Sequence, residues 1–553
     1  MIGRPLLVSL VPFWMIACAS GGPQAVAADA GSVTPGDGSD PVDQSVLVRM
    51  RDGVALNTHL FFPKSISRDG LPTVVLRTPY RFPGSGDDYY RQSAAFHASR
   101  GYAFVLQDCR GRFGSEGTFV PFQNEIEDGA DTVEWIAKQS WSNGRVGTIG
   151  GSYNGYTAIA AAIGSRRVQV VVADDPAEDL GYNRLGSAIA IFPLSWLYLL
   201  DHGGWPPAGT IEESSNWLDL ATLDSHILGR KEPFWSKYLN ATGPDDPVFQ
   251  LGSLRGHYGH TCAALLTVKS RTQSWEDPVR VWRGFIDDGC AERRSDHRLV
   301  VTDEDHTYHL TALGTKETPV NHLMLDYLDA WLCDERQKLD GVPAVQFIAP
   351  GETSFHAATR WPAADTELVL YLDNPQGVTA KPLLSESPPQ AARTDMLQFR
   401  PAQMDPCGQG YPNLSYVSAE LKHSVYLAGA PRAELNLRAT APQADLSVLL
   451  YEYNAADKPP LQFVASGATR AKLSGAMPGS AASTTVQMHS LTHTFRAGSR
   501  IAIVVTGSLC GYAENPNSGE PPDAQTSWRE STYGLCLGGD GPRSRLVLPV
   551  LAE

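Results

Sequence analysis

The stretch Val146-Gly147-Thr148-Ile149-Gly150-Gly151-Ser152-Tyr153-Asn154-Gly155-Tyr156 runs from a short apolar strand, through a glycine-flanked serine, into a helix. Val146 to Ile149 carries strand character, and Tyr156 to Ile163 is a small, apolar helical run. A strand, Gly-x-Ser-x-x-Gly and a helix in that order come close to the nucleophile elbow, usually written G-x-S-x-G. In such an elbow a sharp turn holds the serine in a strained backbone conformation at a helix N-terminus. Small neighbours let strand and helix approach, and the helix dipole favours negative charge at the hydroxyl. An incidental serine in a Gly-rich β-to-α turn is the plain alternative, so the flanking sequence has to discriminate.

Working outward, residues 45–181 alternate strands with helices. Val46 to Met50 and Ala55 to Phe62 read as strands joined by the turn Arg51-Asp52-Gly53. Thr73 to Arg77 and Ala103 to Gln107 are continuous apolar runs of the kind buried on both faces. Tyr89 to Arg100 and Asp128 to Lys138 read as helices. Alternating elements imply a parallel sheet covered by helices. Residues 182–259 turn rich in Trp, Leu and Ser with helical spacing, as a helical cap would. Residues 260–340 return to the first pattern, with strands at Ala264 to Val268 and Leu299 to Thr302 and a closing helix at Pro319 to Arg336. Residues 341–553 change to short alternating runs between Pro/Gly/Asn turns, among them Glu367 to Leu372, Arg432 to Arg438, Leu446 to Tyr453 and Arg500 to Thr506. That pattern predicts an all-β jelly-roll sandwich. The expected fold class is therefore α/β: an α/β-hydrolase core with a helical cap and a C-terminal β domain.

The flanks of the elbow carry further motifs. Trp141-Ser142-Asn143-Gly144-Arg145-Val146-Gly147 leads into it, and Gln107-Asp108-Cys109-Arg110-Gly111-Arg112-Phe113-Gly114-Ser115-Glu116-Gly117 precedes it. Arg77-Thr78-Pro79-Tyr80 closes an earlier strand, and Arg51-Asp52-Gly53-Val54 sits near the start. In these segments, and in Gly498-Ser499-Arg500 and Asn515-Pro516-Asn517-Ser518-Gly519 of the β region, the chain resembles the cocaine esterase and X-Pro dipeptidyl-peptidase family. That family also holds α-amino-acid ester hydrolases and glutaryl-cephalosporin acylases. The resemblance implies Ser152 as nucleophile, with Tyr80 donating its phenolic hydroxyl to the oxyanion. It implies the backbone N–H of Tyr153 as the second donor, because a preorganised donor counts most where charge develops. Asp108 and Arg110 are expected to form a structural ion pair beneath the site.

The expected base is His306, which follows the strand at Leu299, with His309 as the alternative. The Gly-Pro-Trp usual in the family before this histidine is replaced by Asp303 and Glu304. The triad acid is less direct. The family's Gly-Trp-x-Asp context is absent, and counting back from Trp282 lands on Thr272. Asp277 is the chosen acid. Glu276, Asp287 and Asp288 are alternatives, as is a missing acid. Glu276 and Asp277 also match a carboxylate cluster that binds the substrate ammonium in α-amino-acid ester hydrolases. Trp196, Trp205 and Trp217 are candidates for lining the acyl site or for packing the cap.

The 553 residues exceed what one core usually holds, and the formal charge is −15, from 45 basic and 60 acidic side chains. That balance argues against nucleic acid as a partner. No cofactor is expected, and no Cys or His spacing suggests a metal site. The N-terminus reads as a targeting segment: Arg4, then an apolar run from Leu6 to Ile16. Ala25-Val26-Ala27 ends a signal peptide at 1–27, followed by a linker at 28–44. Met15-Ile16-Ala17-Cys18 offers a lipobox instead, with a membrane tether through lipidated Cys18. Both imply export to the periplasm or a membrane-anchored lipoprotein, where disulfides form. Cys262 with Cys290, and Cys510 with Cys536, are the candidate bridges. The expected function is an exported serine hydrolase acting on a small ester, amide or short peptide. Its rival is a degenerate hydrolase that serves as an exported binding protein.

Overall fold

The computed structural model describes residues 42–64, 69–179, 192–207, 210, 220–241, 246–250, 252–271, 277–312, 318–375, 382–399, 413–439, 443–473, 482–507, 531–538 and 543–552. Ten strands form the first sheet: β1 (Val42–Arg49), β2 (Ala55–Phe62), β3 (Leu71–Thr78), β4 (Ala103–Asp108), β5 (Ser142–Gly151), β6 (Val168–Asp174), β7 (Ala264–Lys269), β8 (Arg298–Val301), β9 (Val345–Phe347) and β10 (His356–Ala358). Their order is β1-β2-β4-β3-β5-β6-β7-β8-β9-β10. The pairings from β4 through β3 to β9 are parallel. Helices α1 (Ser85–Ser99), α2 (Glu125–Ile136) and α3 (Tyr153–Gly164) follow β3, β4 and β5.

The apolar runs of the central strands are continuous because both faces are covered, and successive side chains alternate between two cores. Val75, Val105, Val171 and Leu265 pack with α2 and α3. Val74, Phe104, Val172 and Leu266 pack with α1 and the closing helix. That helix ends at Leu332, and Arg336–Leu339 forms a separate 3-10 turn, so the expected helix to Arg336 is too long. The structure adds β6 to the expected strands; its run Val168-Gln169-Val170-Val171-Val172-Ala173 is buried almost throughout. Further helices are α4 (Phe192–His202), α5 (Leu220–Leu228) and α6 (Pro233–Asn240) in the cap region, then α7 (Asp277–Asp287) after β7, α8 (Tyr308–Ala312) and α9 (Pro319–Leu332). Cys262 and Cys290 are joined by a disulfide that brackets β7 and α7. Cys510, Trp217 and the segment Asn515 to Gly519 lie outside the described residues, as do the targeting segment and linker.

Among the described residues from Thr366 to Val550 the regular structure is β, a 13-stranded sheet system with its own buried core. Within it, buried Glu452 accepts from His493 Nε2 at 3.1 Å and from Arg496 Nε at 2.9 Å. Burial pushes this carboxyl up, but its donors outweigh burial and hold it at about 2, against an ordinary 4.5. A depressed folded value stabilises the fold above the unfolded value, and that stability disappears as pH falls through the folded one. Melting curves of Glu452→Gln should therefore lie below wild type at pH 7, and the gap should close between pH 4.5 and about 2. A gap that does not change with pH would contradict this.

Candidate active site

Ser152 sits between β5 and α3 with φ 57° and ψ −123°. That region is costly for a residue with a side chain, by about 1–3 kcal/mol, and persists only where the surroundings over-determine it. Here they do. Ser152 N–H donates to Asp174 O at 2.9 Å, and Ser152 O accepts from Tyr156 N–H at 3.1 Å and Ala177 N–H at 3.3 Å. The flanking glycines are obligatory for space. A Cβ at Gly150 would lie 2.0 Å from Asn154 O, and one at Gly155 would lie 2.9 Å from Pro176 Cβ. At Gly151 it would meet Thr307 Cγ2 at 2.8 Å. This contact seats the elbow directly against the segment that carries His306.

Tyr153 is the first residue of α3, where a backbone N–H has no acceptor within the helix. Its phenol is buried, accepting from Phe122 N–H at 2.9 Å and donating to Glu125 Oε1 at 3.2 Å. Glu125 is paired in turn with buried Arg77, Nη1 to Oε2 2.9 Å. Tyr80 follows β3 and packs edge-on against Tyr153, ring centroids 6.5 Å apart. Burial pushes its phenol above the ordinary range, so it remains a donor. The expected Asp108–Arg110 pair does not form. Asp108 accepts from Arg81 Nε at 2.8 Å, and Arg110 reaches Asp128 and Asp52 at 2.6 Å each.

His306 follows β8, and its Nδ1 lies 3.4 Å from Asp175 Oδ2. Asp175 follows β6 directly and has φ 48°. Its carboxylate accepts from Ser270 N–H at 2.8 Å, from the Ser270 hydroxyl and from Thr307 N–H at 3.2 Å. Burial pushes the Asp175 carboxyl up, but the imidazole and the Ser270 donors prevail and hold it below the ordinary range. Its neighbour Asp174 is pushed well up by burial and by the Asp175 charge. Asp174 Oδ2 accepts from Leu310 N–H at 3.0 Å, which fixes the start of α8 just beyond His306.

The sequence reading is corrected here: the carboxylate at His306 is Asp175, not Asp277. Asp277 opens α7, fully buried, and accepts from Glu178 N–H at 2.8 Å and from Arg280. Arg280 also reaches Glu178, which pairs with Arg255 and accepts from Tyr258 at 2.6 Å. This network ties the segment after β6 to α7 and has its own cations. Glu276 and Thr272 lie outside the described residues. Asp287 and Asp288 are exposed at the far end of α7. His309, the alternative base, is buried with Nε2 facing Thr302 Oγ1 at 3.3 Å. Of the tryptophans, Trp196 reaches the Tyr80 hydroxyl, and Trp205 packs on Phe192. The signal for Asp175 was present in the sequence: an apolar run ending in two adjacent aspartates.

Sheet order, elbow and histidine position together define an α/β-hydrolase with a serine at its elbow. Residues 52–308 match the X-Pro dipeptidyl-peptidase (S15 family) model, and residues 337–534 match the X-Pro dipeptidyl-peptidase C-terminal non-catalytic domain. Cocaine esterase of Rhodococcus sp. (strain MB1 Bresler) is 28% identical over 368 residues, 60% of this chain and 62% of that protein, so the match spans about six tenths of the relative. Among solved structures, an α-amino acid ester hydrolase superposes with a TM-score of 0.76 at 22% identity, covering 96% of this chain and 100% of the other. An aminopeptidase from a marine sediment archaeon (Thaumarchaeota archaeon) has a TM-score of 0.76 at 20% identity, covering 95% and 100%. The two family matches lie in the α/β and all-β regions in turn, the chain is similar in sequence to a cocaine esterase, and the solved structures share its fold.

Proposed function

We propose that this protein is an exported hydrolase that cleaves a small ester, amide or short peptide through an acyl-enzyme. The observation that carries the reading is the convergence of the strained Ser152 backbone, the Asp175–His306 pair and the Thr307–Gly151 contact at the C-terminal ends of β5, β6 and β8. Ser152 Oγ attacks the carbonyl carbon while His306 takes its proton. With Nδ1 turned to Asp175, Nε2 is the nitrogen that serves the serine. The tetrahedral oxyanion receives hydrogen bonds from Tyr80 Oη and the Tyr153 N–H. His306 then returns the proton to the leaving alcohol or amine, and water repeats the sequence to release the acid.

The names of the similar proteins, an esterase, an ester hydrolase and an aminopeptidase, support esters and short peptides as substrates. The Cys262–Cys290 disulfide supports an oxidising, exported location, as does the N-terminal apolar run. The binding-protein alternative was motivated by a missing acid. Asp175 provides a carboxylate where one was wanted, and this favours the enzyme. A panel of nitrophenyl esters and X-Pro nitroanilides, run beside fluorophosphonate labelling, tests the reading. No turnover together with no labelling of Ser152 would refute it.

Tyr80→Phe should lower kcat roughly 10²–10³-fold, the cost of one oxyanion donor, with the fold kept and about 1–3 kcal/mol of stability lost as the Trp196 indole N–H loses its acceptor. Steady-state kinetics on any substrate the panel finds would check this, and an unchanged kcat would remove Tyr80 from the oxyanion site.

A further inference from the structure

The indole Nε1–H of Trp196, on cap helix α4, donates to the phenolic oxygen of Tyr80 at 2.8 Å. Trp196 is buried, and its ring lies 5.4 Å from that of Tyr153 and 6.2 Å from that of Phe122. One cap side chain therefore touches both residues given oxyanion roles above. An indole N–H can only donate. It occupies a lone pair of the Tyr80 oxygen, so the phenol's own hydrogen is turned to another acceptor. Hydrogen bonds in a chain also polarise one another, so a phenol that accepts becomes a stronger donor. Burial raises the Tyr80 phenol, and the Trp196 bond acts in the opposite direction.

A second strut runs beside the first. Arg112 donates from Nε to Pro79 O at 3.0 Å and from Nη2 to Leu200 O at 2.8 Å. It thereby joins the residue before Tyr80 to the same helix α4. Its guanidinium lies over the rings of Phe82, Phe113 and Phe119, at 5.5, 5.0 and 5.7 Å. Tyr80 and the cap helix are thus linked twice, once at the hydroxyl and once at the backbone.

We infer that Trp196 is a positioning residue for the oxyanion donor, coupling the seating of cap helix α4 to stabilisation of the tetrahedral intermediate through Tyr80. The inference rests on the oxyanion role proposed for Tyr80. The test is a double-mutant cycle of Trp196→Phe and Tyr80→Phe, reading kcat and KM on a nitrophenyl ester. Trp196→Phe alone should lower kcat about tenfold, the worth of one neutral hydrogen bond, with KM changed less than about twofold. In the Tyr80→Phe background the same substitution should change kcat by less than about twofold. Leu197→Ala, a buried neighbour on α4, controls for packing and should act equally in both backgrounds. Trp196→Leu replaces the phenylalanine variant if that chain does not fold. Equal losses from Trp196→Phe in both backgrounds, or a change in KM alone, overturn the inference while leaving the Tyr80 role intact. A silent Tyr80→Phe overturns both.

Discussion

Replacing Ser152 by alanine should abolish turnover, by about 10⁶-fold in kcat, and abolish fluorophosphonate labelling, while the melting temperature stays within a few degrees of wild type. The size of the loss follows from removing the nucleophile, since no acyl-enzyme can form without it. The preserved fold follows from where the elbow's support lies. The hydrogen bonds that hold φ at 57° use the Ser152 backbone, through Asp174 O, Tyr156 N and Ala177 N, and alanine keeps all of them. The close contacts at Gly150, Gly151 and Gly155 also remain. Turnover above a few per cent in contaminant-free protein would show that Ser152 is not the nucleophile. Loss of the folded state would show that its hydroxyl has a structural role.

Asp175→Asn should lower kcat about 10⁴-fold with a much smaller change in KM. In the proposed mechanism the carboxylate, 3.4 Å from Nδ1, orients the imidazole and stabilises the imidazolium that forms as the serine loses its proton. An amide is neutral, and its NH₂ cannot accept from the Ser270 donors that the carboxylate now satisfies. Asp277→Asn supplies the contrast. It removes a charge from the Glu178–Arg280 network and should cost about 1–3 kcal/mol of stability while leaving kcat within a few fold. If instead Asp277→Asn gives the kinetic loss and Asp175→Asn is kinetically silent, the acid is misassigned.

The contrast between these two aspartates shows what was legible. The central strands could be read locally, because burial on both faces leaves an unbroken apolar run. The elbow could be read from its local motif, and Gly150 answers to a contact four residues on, with Asn154, although Gly151 and Gly155 meet Thr307 and Pro176 from farther along the chain. His306 could be placed because it follows a recognisable strand. Counting along the chain from Trp282 leads to the loop after β7, where Glu276 and Asp277 are the nearest carboxylates and Asp277 the nearest aspartate. Asp175 instead follows β6, a strand with as clear an apolar run as β4, far from that count along the chain.

The sequence by itself determined the α/β core, the all-β C-terminal region and the serine at the elbow, and it offered His306 and the Cys262–Cys290 pairing as candidates among alternatives. Each rests on short-range periodicity, turn chemistry or a local motif. Only the tertiary structure decided which carboxylate meets the histidine and which cap residue meets Tyr80. Thr307 and Asp175 are 132 positions apart, and Trp196 and Tyr80 are 116 apart. The parallel register sets Asp174 beside Val268, and Lys269 beside Val301, so the ends of β6, β7 and β8 emerge side by side. Neighbouring strands lie only about 4.8 Å apart. A carboxylate at the end of β6 can therefore reach across to the segment after β8, with Ser270 at the end of β7 donating to it, and no spacing along the chain records that proximity.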